Sequence, residues 1–78
     1  MTQIINLRGL KCPLPALKAR KALRATAVGT ELLVECTDPM AVIDIPNMVR
    51  ELGDLLEETI RTDDAVIFRI RRANGADQ

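Results

Sequence analysis

Four prolines constrain the fold of this 78-residue chain more than any other feature, because proline fits the first turn of a helix but interrupts its interior. The first two lie in the segment Cys12-Pro13-Leu14-Pro15, shortly after Gly9 ends a short β-rich run. Strong helix formers follow this segment. The pattern therefore predicts a strand over residues 3–7 and a helix from Leu14 to about Ala25.

The other two prolines predict a second helix in two pieces. Asp38 precedes Pro39, which is typical of a helix start with a carboxylate N-cap and proline at the first position. Pro46 lacks an amide donor and crowds the preceding turn. We therefore expect short helical pieces over 39–44 and 46–52, with Gly53 as the C-terminal stop.

Three further apolar runs predict strands over 31–36, 55–61 and 66–72. The first alternates, with Leu32, Val34 and Cys36 on one face, and the last two flank a turn at 62–65. Strands separated by helices favour parallel pairing, whereas the final pair favours a hairpin. The order β-α-β-α-β-β predicts a two-layer α/β sandwich, a four-stranded mixed sheet with both helices on one face. We expect one domain over 1–78, with 73–78 as a frayed tail.

The composition excludes several kinds of site. The chain has no His, and hence no imidazole base and no Cys-His pair. Two cysteines cannot supply a four-ligand zinc site, so neither a metal nor another cofactor is expected. A single Phe without Trp or Tyr argues against stacking on single-stranded nucleic acid. With no long apolar run and no secretory signal, we expect a cytoplasmic protein with reduced thiols and no direct membrane contact.

A net charge of zero conceals two regions of opposite sign. Residues 1–30 hold basic side chains and no acidic one, whereas the acidic residues concentrate in 31–68. Cys12 lies in the basic region, beside Lys11 and near Arg8, at the start of the first helix. A helix N-terminus and nearby cations stabilise a thiolate, so we expect an exposed Cys12 with a lowered pKa. The alternative is a small buried apolar side chain.

The segment LRGLKCPLP at 7–15, followed by a Lys/Arg-rich helix, resembles the CPxP signature of the TusA (SirA-like) family of sulfur carriers. The resemblance continues through Gly29, Thr37-Asp38-Pro39 and Asp44-Ile45-Pro46, and so spans nearly the whole chain. It implies that Cys12 carries sulfur as a persulfide. The motif residues that would support it are Gly9, Lys11, Pro13 and Pro15. It also implies the two-layer sandwich expected above.

The resemblance implies two protein partners, a cysteine desulfurase or rhodanese-type donor and a downstream acceptor. Family pathways end in tRNA 2-thiouridine, sulfur oxidation or molybdenum cofactor, and the branch stays open. Asn6 replaces an acidic residue of many relatives, and Gly53-Asp54 replaces a His of some. Any enzymatic activity is then a sulfurtransferase half-reaction, which needs no base if Cys12 is already ionised.

Residues around Cys12 are candidates for partner binding, and nucleic acid contact is at most indirect. The candidate contacts are Arg8, Leu14, Leu17, Lys18, Lys21 and Asp38. The basic ones are equally typical of a solvated helix face. Two other functions stay open: a regulatory or RNA-binding adaptor that uses the first helix, and a redox protein that pairs Cys12 with Cys36. A buried Cys36 and a monomer are expected.

Overall fold

A computed structural model describes residues 2–73 as four strands and two helices in the predicted order β-α-β-α-β-β. The elements are β1 (Thr2–Leu7), α1 (Leu14–Arg24), β2 (Glu31–Cys36), α2 (Ala41–Leu52), β3 (Leu55–Arg61) and β4 (Val66–Arg71). Most bounds agree with the predicted ones to within one residue. Apart from Ala73, the predicted tail lies outside the described residues.

The strands form one mixed sheet in the order β1-β2-β4-β3. β1 and β2 pair in parallel, with Leu7 opposite Cys36, and α1 is the crossover between them. β4 pairs antiparallel with both β2 and β3, and a register shift interrupts β3 between Leu56 and Glu58. The predicted mixed sheet, parallel crossover and final hairpin are therefore confirmed.

Both helices pack on one face of the sheet. The strands contribute Leu32, Val34, Cys36, Phe68 and Ile70 to this core, and the helices contribute Ala19, Leu23, Ile45, Met48 and Val49. Full burial of a Val, Leu, Ile or Phe side chain stabilises the fold by about 1.5–3 kcal/mol relative to exposure. The other face carries ion pairs between strands, in which Arg71 contacts Glu31 and Glu57. This face has no helix over it among residues 2–73, as expected.

The predicted break at Pro46 is wrong, because α2 is one continuous helix from Ala41 to Leu52. Proline removes one amide donor from the helix. However, Ile45 before Pro46 and Met48 and Val49 after it are buried. Their packing against the core outweighs the loss of one hydrogen bond. The helix also begins after the predicted Pro39, with Met40 as its N-cap, and ends at Gly53 as expected.

Candidate functional site

The parallel pairing of β1 and β2 brings two loops side by side at one edge of the sheet. The loop after β1 leads to Cys12, and the loop after β2 leads to α2. The Gly9 amide donates to Oγ1 of Thr37 over 2.9 Å and so joins the two loops. Gly9 has φ of +82°, a left-handed conformation that favours glycine. The fold thus fixes where Cys12 stands.

Asp38 holds the backbone of Cys12. Its Oδ2 accepts a hydrogen bond from the Cys12 amide at 2.5 Å, and its Oδ1 accepts one from the Met40 amide at 3.3 Å. The predicted role of Asp38 as the N-cap of α2 is wrong, since Met40 takes that position without a side-chain cap. The carboxylate serves the Cys12 loop because the parallel strands bring that loop within reach.

The Cys12 thiol contacts a second carboxylate. Its Sγ donates a hydrogen bond to Oδ2 of Asp44 over 2.9 Å, across a sequence separation of 32 residues. Asp44 lies in the first turn of α2, within the Asp44-Ile45-Pro46 element that supported the resemblance. The sequence interpretation gave Asp44 no role in the site. Cys12 itself is exposed, which contradicts the alternative of a buried apolar side chain.

The prediction of a lowered Cys12 pKa is wrong. The hydrogen bond to Asp44 raises the pKa of the thiol, and desolvation and the charges of Asp44 and Asp38 act in the same direction. The start of α1 also offers fewer free amides than expected. The Leu14 amide donates to the Lys11 carbonyl at 2.9 Å, and Pro15 has no amide hydrogen.

An open groove of about 310 Å³ lies between α1 and α2, next to Cys12. It is lined by Cys12, Pro13, Ala16, Leu17, Arg20, Asp44, Asn47, Met48 and Glu51. Leu17 is 56% exposed and gives the groove an apolar surface. Arg20 and Glu51 add charged side chains to its lining. Sequence reasoning missed the α2 residues, because only the packing of the two helices places them beside Cys12.

The predicted partner-binding residues do not form one patch around the sulfur. Leu14 lies next to the cysteine loop and is 44% exposed. Lys18 and Lys21 line another groove, together with Ile5 and Leu7 of β1. Only Leu17 joins Cys12 in the groove between the helices. The basic side chains of α1 therefore serve more than one surface.

Arg8 is engaged in ion pairs. Its guanidinium contacts Glu35 and also Asp64, the latter at 3.0 Å. These bonds raise the pKa of Arg8 and lower the pKa of Asp64. Arg8 is also absent from the residues that line the Cys12 groove. It links β1 to the β3–β4 turn instead.

The residues of the cysteine motif occupy different environments. Pro13 is the N-cap of α1, and Pro15 is buried in its first turn. Lys11 is exposed. The Cys12–Pro13 peptide bond is cis. The prolines and Gly9 thus shape the loop, whereas Cys12 presents the reactive atom.

Cys36 differs sharply from Cys12. It is a free thiol, fully buried in the core at the end of β2. Burial raises its pKa to about 11, so very little thiolate forms at neutral pH. Its environment is that of a core side chain, as expected.

No helix among residues 2–73 has the length and apolar character needed to cross a membrane.

Comparisons with known proteins place the chain in a family. Residues 3–72 match the family described as sulfurtransferase TusA. The sulfur carrier protein TusA of Allochromatium vinosum is 35% identical over 71 residues, covering 91% of this chain and 93% of that protein. A protein of Archaeoglobus fulgidus, provisionally named a sulfur carrier, is 41% identical over 63 residues, covering 81% of this chain and 82% of that one.

A solved structure supports the same fold. The crystal structure of the SirA-like protein from Desulfitobacterium hafniense superposes with a TM-score of 0.81 at 22% identity. It covers 95% of this chain and 100% of the other. From the family match and the curated relatives, the chain belongs to the TusA family of sulfur carrier proteins.

Proposed function

We propose that Cys12 carries sulfane sulfur as a persulfide, taken from a donor protein and passed to an acceptor protein. One observation carries the proposal: Cys12 is an exposed thiol that lines an open groove, in a chain of the sulfur-carrier family. Cys36 offers no equivalent, since its thiol is buried. A cysteine desulfurase or a rhodanese-type protein is the donor class.

Loading is a thiol exchange at sulfur. The Cys12 sulfur attacks the terminal sulfur of the donor persulfide, a new S–S bond forms on Cys12, and the donor S–S bond breaks. The donor cysteine leaves as a thiolate and takes up the proton that Cys12 loses. Unloading repeats these steps with the acceptor thiolate as the nucleophile. Electrons and protons balance in each direction, so no cofactor is required.

The groove beside Cys12 suits an extended segment of a partner protein. It is open along one side and combines the apolar surfaces of Leu17 and Met48 with the charged groups of Arg20 and Glu51. An incoming cysteine would reach the sulfur from this side. Leu14, Lys18 and Lys21 would contact the outer parts of the same partner, while Gly9, Pro13 and Pro15 keep the loop in place.

The protein acts in this proposal as a monomeric single domain in the cytoplasm, where cysteines stay reduced. The acceptor determines whether the sulfur enters tRNA 2-thiouridine, sulfur oxidation or molybdenum cofactor synthesis. Incubating the persulfide form of the protein with candidate acceptors from each pathway would show which of them takes the sulfur.

The test uses a cysteine desulfurase, ³⁵S-cysteine and three forms of the protein. Wild type and Cys36→Ala should acquire label that dithiothreitol removes, and Cys12→Ser should acquire none. Mass spectrometry should place one added sulfur atom on Cys12. Equal labelling of Cys12→Ser contradicts the proposal, and so does a folded wild type that is labelled neither by a desulfurase with ³⁵S-cysteine nor by a rhodanese with thiosulfate carrying ³⁵S as its sulfane sulfur.

A further inference from the structure

The contact between Cys12 and Asp44 gives the site a feature that sulfur carriage alone does not require. The thiol donates to a carboxylate at 2.9 Å, although a free thiolate is the better nucleophile. A thiol whose hydrogen is bonded to a carboxylate is held in its protonated form. The unloaded protein therefore stabilises the less reactive state of its own cysteine.

Most of the charged groups around Cys12 are carboxylates, which favour the protonated form of the thiol. From α2 come Asp44, whose carboxylate contacts the sulfur, and Glu51, which lines the groove. The loop before α2 contributes Asp38, bonded to the Cys12 amide at 2.5 Å. On the basic side, α1 contributes Arg20 to the groove and Lys11 adjoins Cys12 in sequence. Asp44 is the group that bonds the sulfur directly, so its influence prevails.

The following inference rests on the proposed function. We propose that Asp44 is a positioning residue that holds unloaded Cys12 as a hydrogen-bonded thiol. The full reactivity of Cys12 is released only when a sulfur donor enters the groove and separates the thiol from the carboxylate. The residue would thereby limit reaction with small electrophiles and oxidants. The same carboxylate would direct the sulfur toward the groove between α1 and α2. Once the thiol is separated from Asp44, the proton that Cys12 loses passes to the donor cysteine, the leaving group of the exchange.

The geometry supports a reversible restraint. Cys12 is exposed, whereas Asp44 is half-buried in the first turn of α2, so neighbouring atoms restrict the carboxylate more than the sulfur. Pro13 and Asp38 hold the backbone on either side of the thiol. A small rotation of the Cys12 side chain is enough to break one hydrogen bond, and no rearrangement of the fold is required.

The test measures the pH dependence of Cys12 alkylation by iodoacetamide, with mass spectrometry assigning the modified residue. Wild type should show a midpoint above that of a short peptide with the same Lys-Cys-Pro sequence. Asp44→Asn should lower the midpoint, and each unit of the shift should increase the rate at pH 7 roughly threefold, because a larger thiolate fraction is partly offset by lower nucleophilicity. Asp44→Glu should restore part of the elevation.

Asp63→Asn is the matched control, since it removes one carboxylate from the exposed β3–β4 turn, outside the Cys12 groove. It should leave the midpoint unchanged. An unchanged or higher midpoint in Asp44→Asn overturns the proposal, and so does an equal shift in Asp63→Asn. If Asp44→Asn does not fold, as judged by circular dichroism, Asp44→Ser replaces it with the same expectation.

The alkylation assay involves no sulfur transfer, so this proposal and the proposed function fail separately. If ³⁵S labels Cys12→Ser as strongly as wild type, sulfur carriage on Cys12 is wrong whatever the midpoints are. If label is confined to Cys12 but Asp44→Asn keeps the wild-type midpoint, carriage stands and the restraint by Asp44 is wrong.

Discussion

The two cysteines lie at the same edge of the sheet but in opposite environments. Cys36 is the last residue of β2, pairs with Leu7 of β1 and is fully buried. Cys12 lies in the loop between β1 and α1 and is exposed. Both thiols have a raised pKa. For Cys36 the cause is burial, which raises the pKa to about 11, and for Cys12 it is first of all the hydrogen bond to Asp44.

The difference shows that two thiols whose pKa values are both raised can differ in accessibility. A partner can reach Cys12 and displace one hydrogen bond, because the groove beside it is open. Nothing short of opening the sheet exposes Cys36, which is packed among core residues of β2 and β4. Binding of a partner can therefore change the protonation of Cys12 but not that of Cys36.

The largest expected effect is a difference in alkylation rate within the same native molecule. At pH 8 iodoacetamide should modify Cys12 at least about 100-fold faster than Cys36, because core residues react only during openings that cost several kcal/mol. Peptide mapping of a time course by mass spectrometry measures both rates together. In 6 M guanidinium chloride the two rates should converge. Comparable rates in the native protein would contradict the burial of Cys36.

An intermediate effect is a loss of stability in alkaline solution that depends on Cys36. The folded protein keeps the Cys36 proton up to a pKa of about 11, whereas the unfolded chain loses it near the ordinary thiol value. The folded state thus binds more protons, so stability is fully present below about pH 8.5 and decreases toward pH 11. The Cys36 share of this loss should be roughly 2 kcal/mol.

Urea unfolding at pH 8 and pH 10.5 measures this share when wild type is compared with Cys36→Ala. The variant is expected to start from a lower stability, because the substitution leaves a small cavity. Its decline with pH should nevertheless be shallower than that of wild type. Parallel declines would show that Cys36 ionises equally in both states, and the assignment of its pKa to burial would be wrong.

Local sequence patterns were sufficient for most of the fold. The alternation over Glu31–Cys36 predicted both the bounds of β2 and its buried face. The proline and glycine positions likewise predicted where α1 begins and where α2 ends. One exception was the start of α2, and another was Pro46, whose local cost is outweighed by the burial of Ile45 and Val49. That burial depends on the sheet beneath α2, which a local pattern does not contain.

The site was less predictable because its chemistry depends on contacts between distant residues. Cys12 and its loop could be identified from the motif alone. Its pKa direction could not, since the hydrogen-bond acceptor lies 32 residues away. The acid-free first 30 residues suggested a positive environment, but the parallel crossover places Asp38 and Asp44 beside the sulfur.

The smallest expected effect separates the position of the Cys12 loop from the stability of the fold. Gly9 and Gly29 have φ of +82° and +88°, and a Cβ at either would meet nothing within 4 Å. Alanine at each position therefore introduces backbone strain without a clash, at a cost of about 1 kcal/mol. Urea unfolding should show similar losses for Gly9→Ala and Gly29→Ala.

Only Gly9→Ala should also change the chemistry of Cys12. The Gly9 amide bonds Thr37, next to the Asp38 that holds the Cys12 amide, whereas Gly29 lies before β2 and bonds Arg72. A shift of the Gly9 loop should weaken the Cys12–Asp44 hydrogen bond, so the alkylation midpoint should fall in this variant and stay at the wild-type value in Gly29→Ala. Identical midpoints in both variants would mean that the Gly9–Thr37 contact does not help to position Cys12, and that the environment of Cys12 does not depend on the conformation of the Gly9 loop.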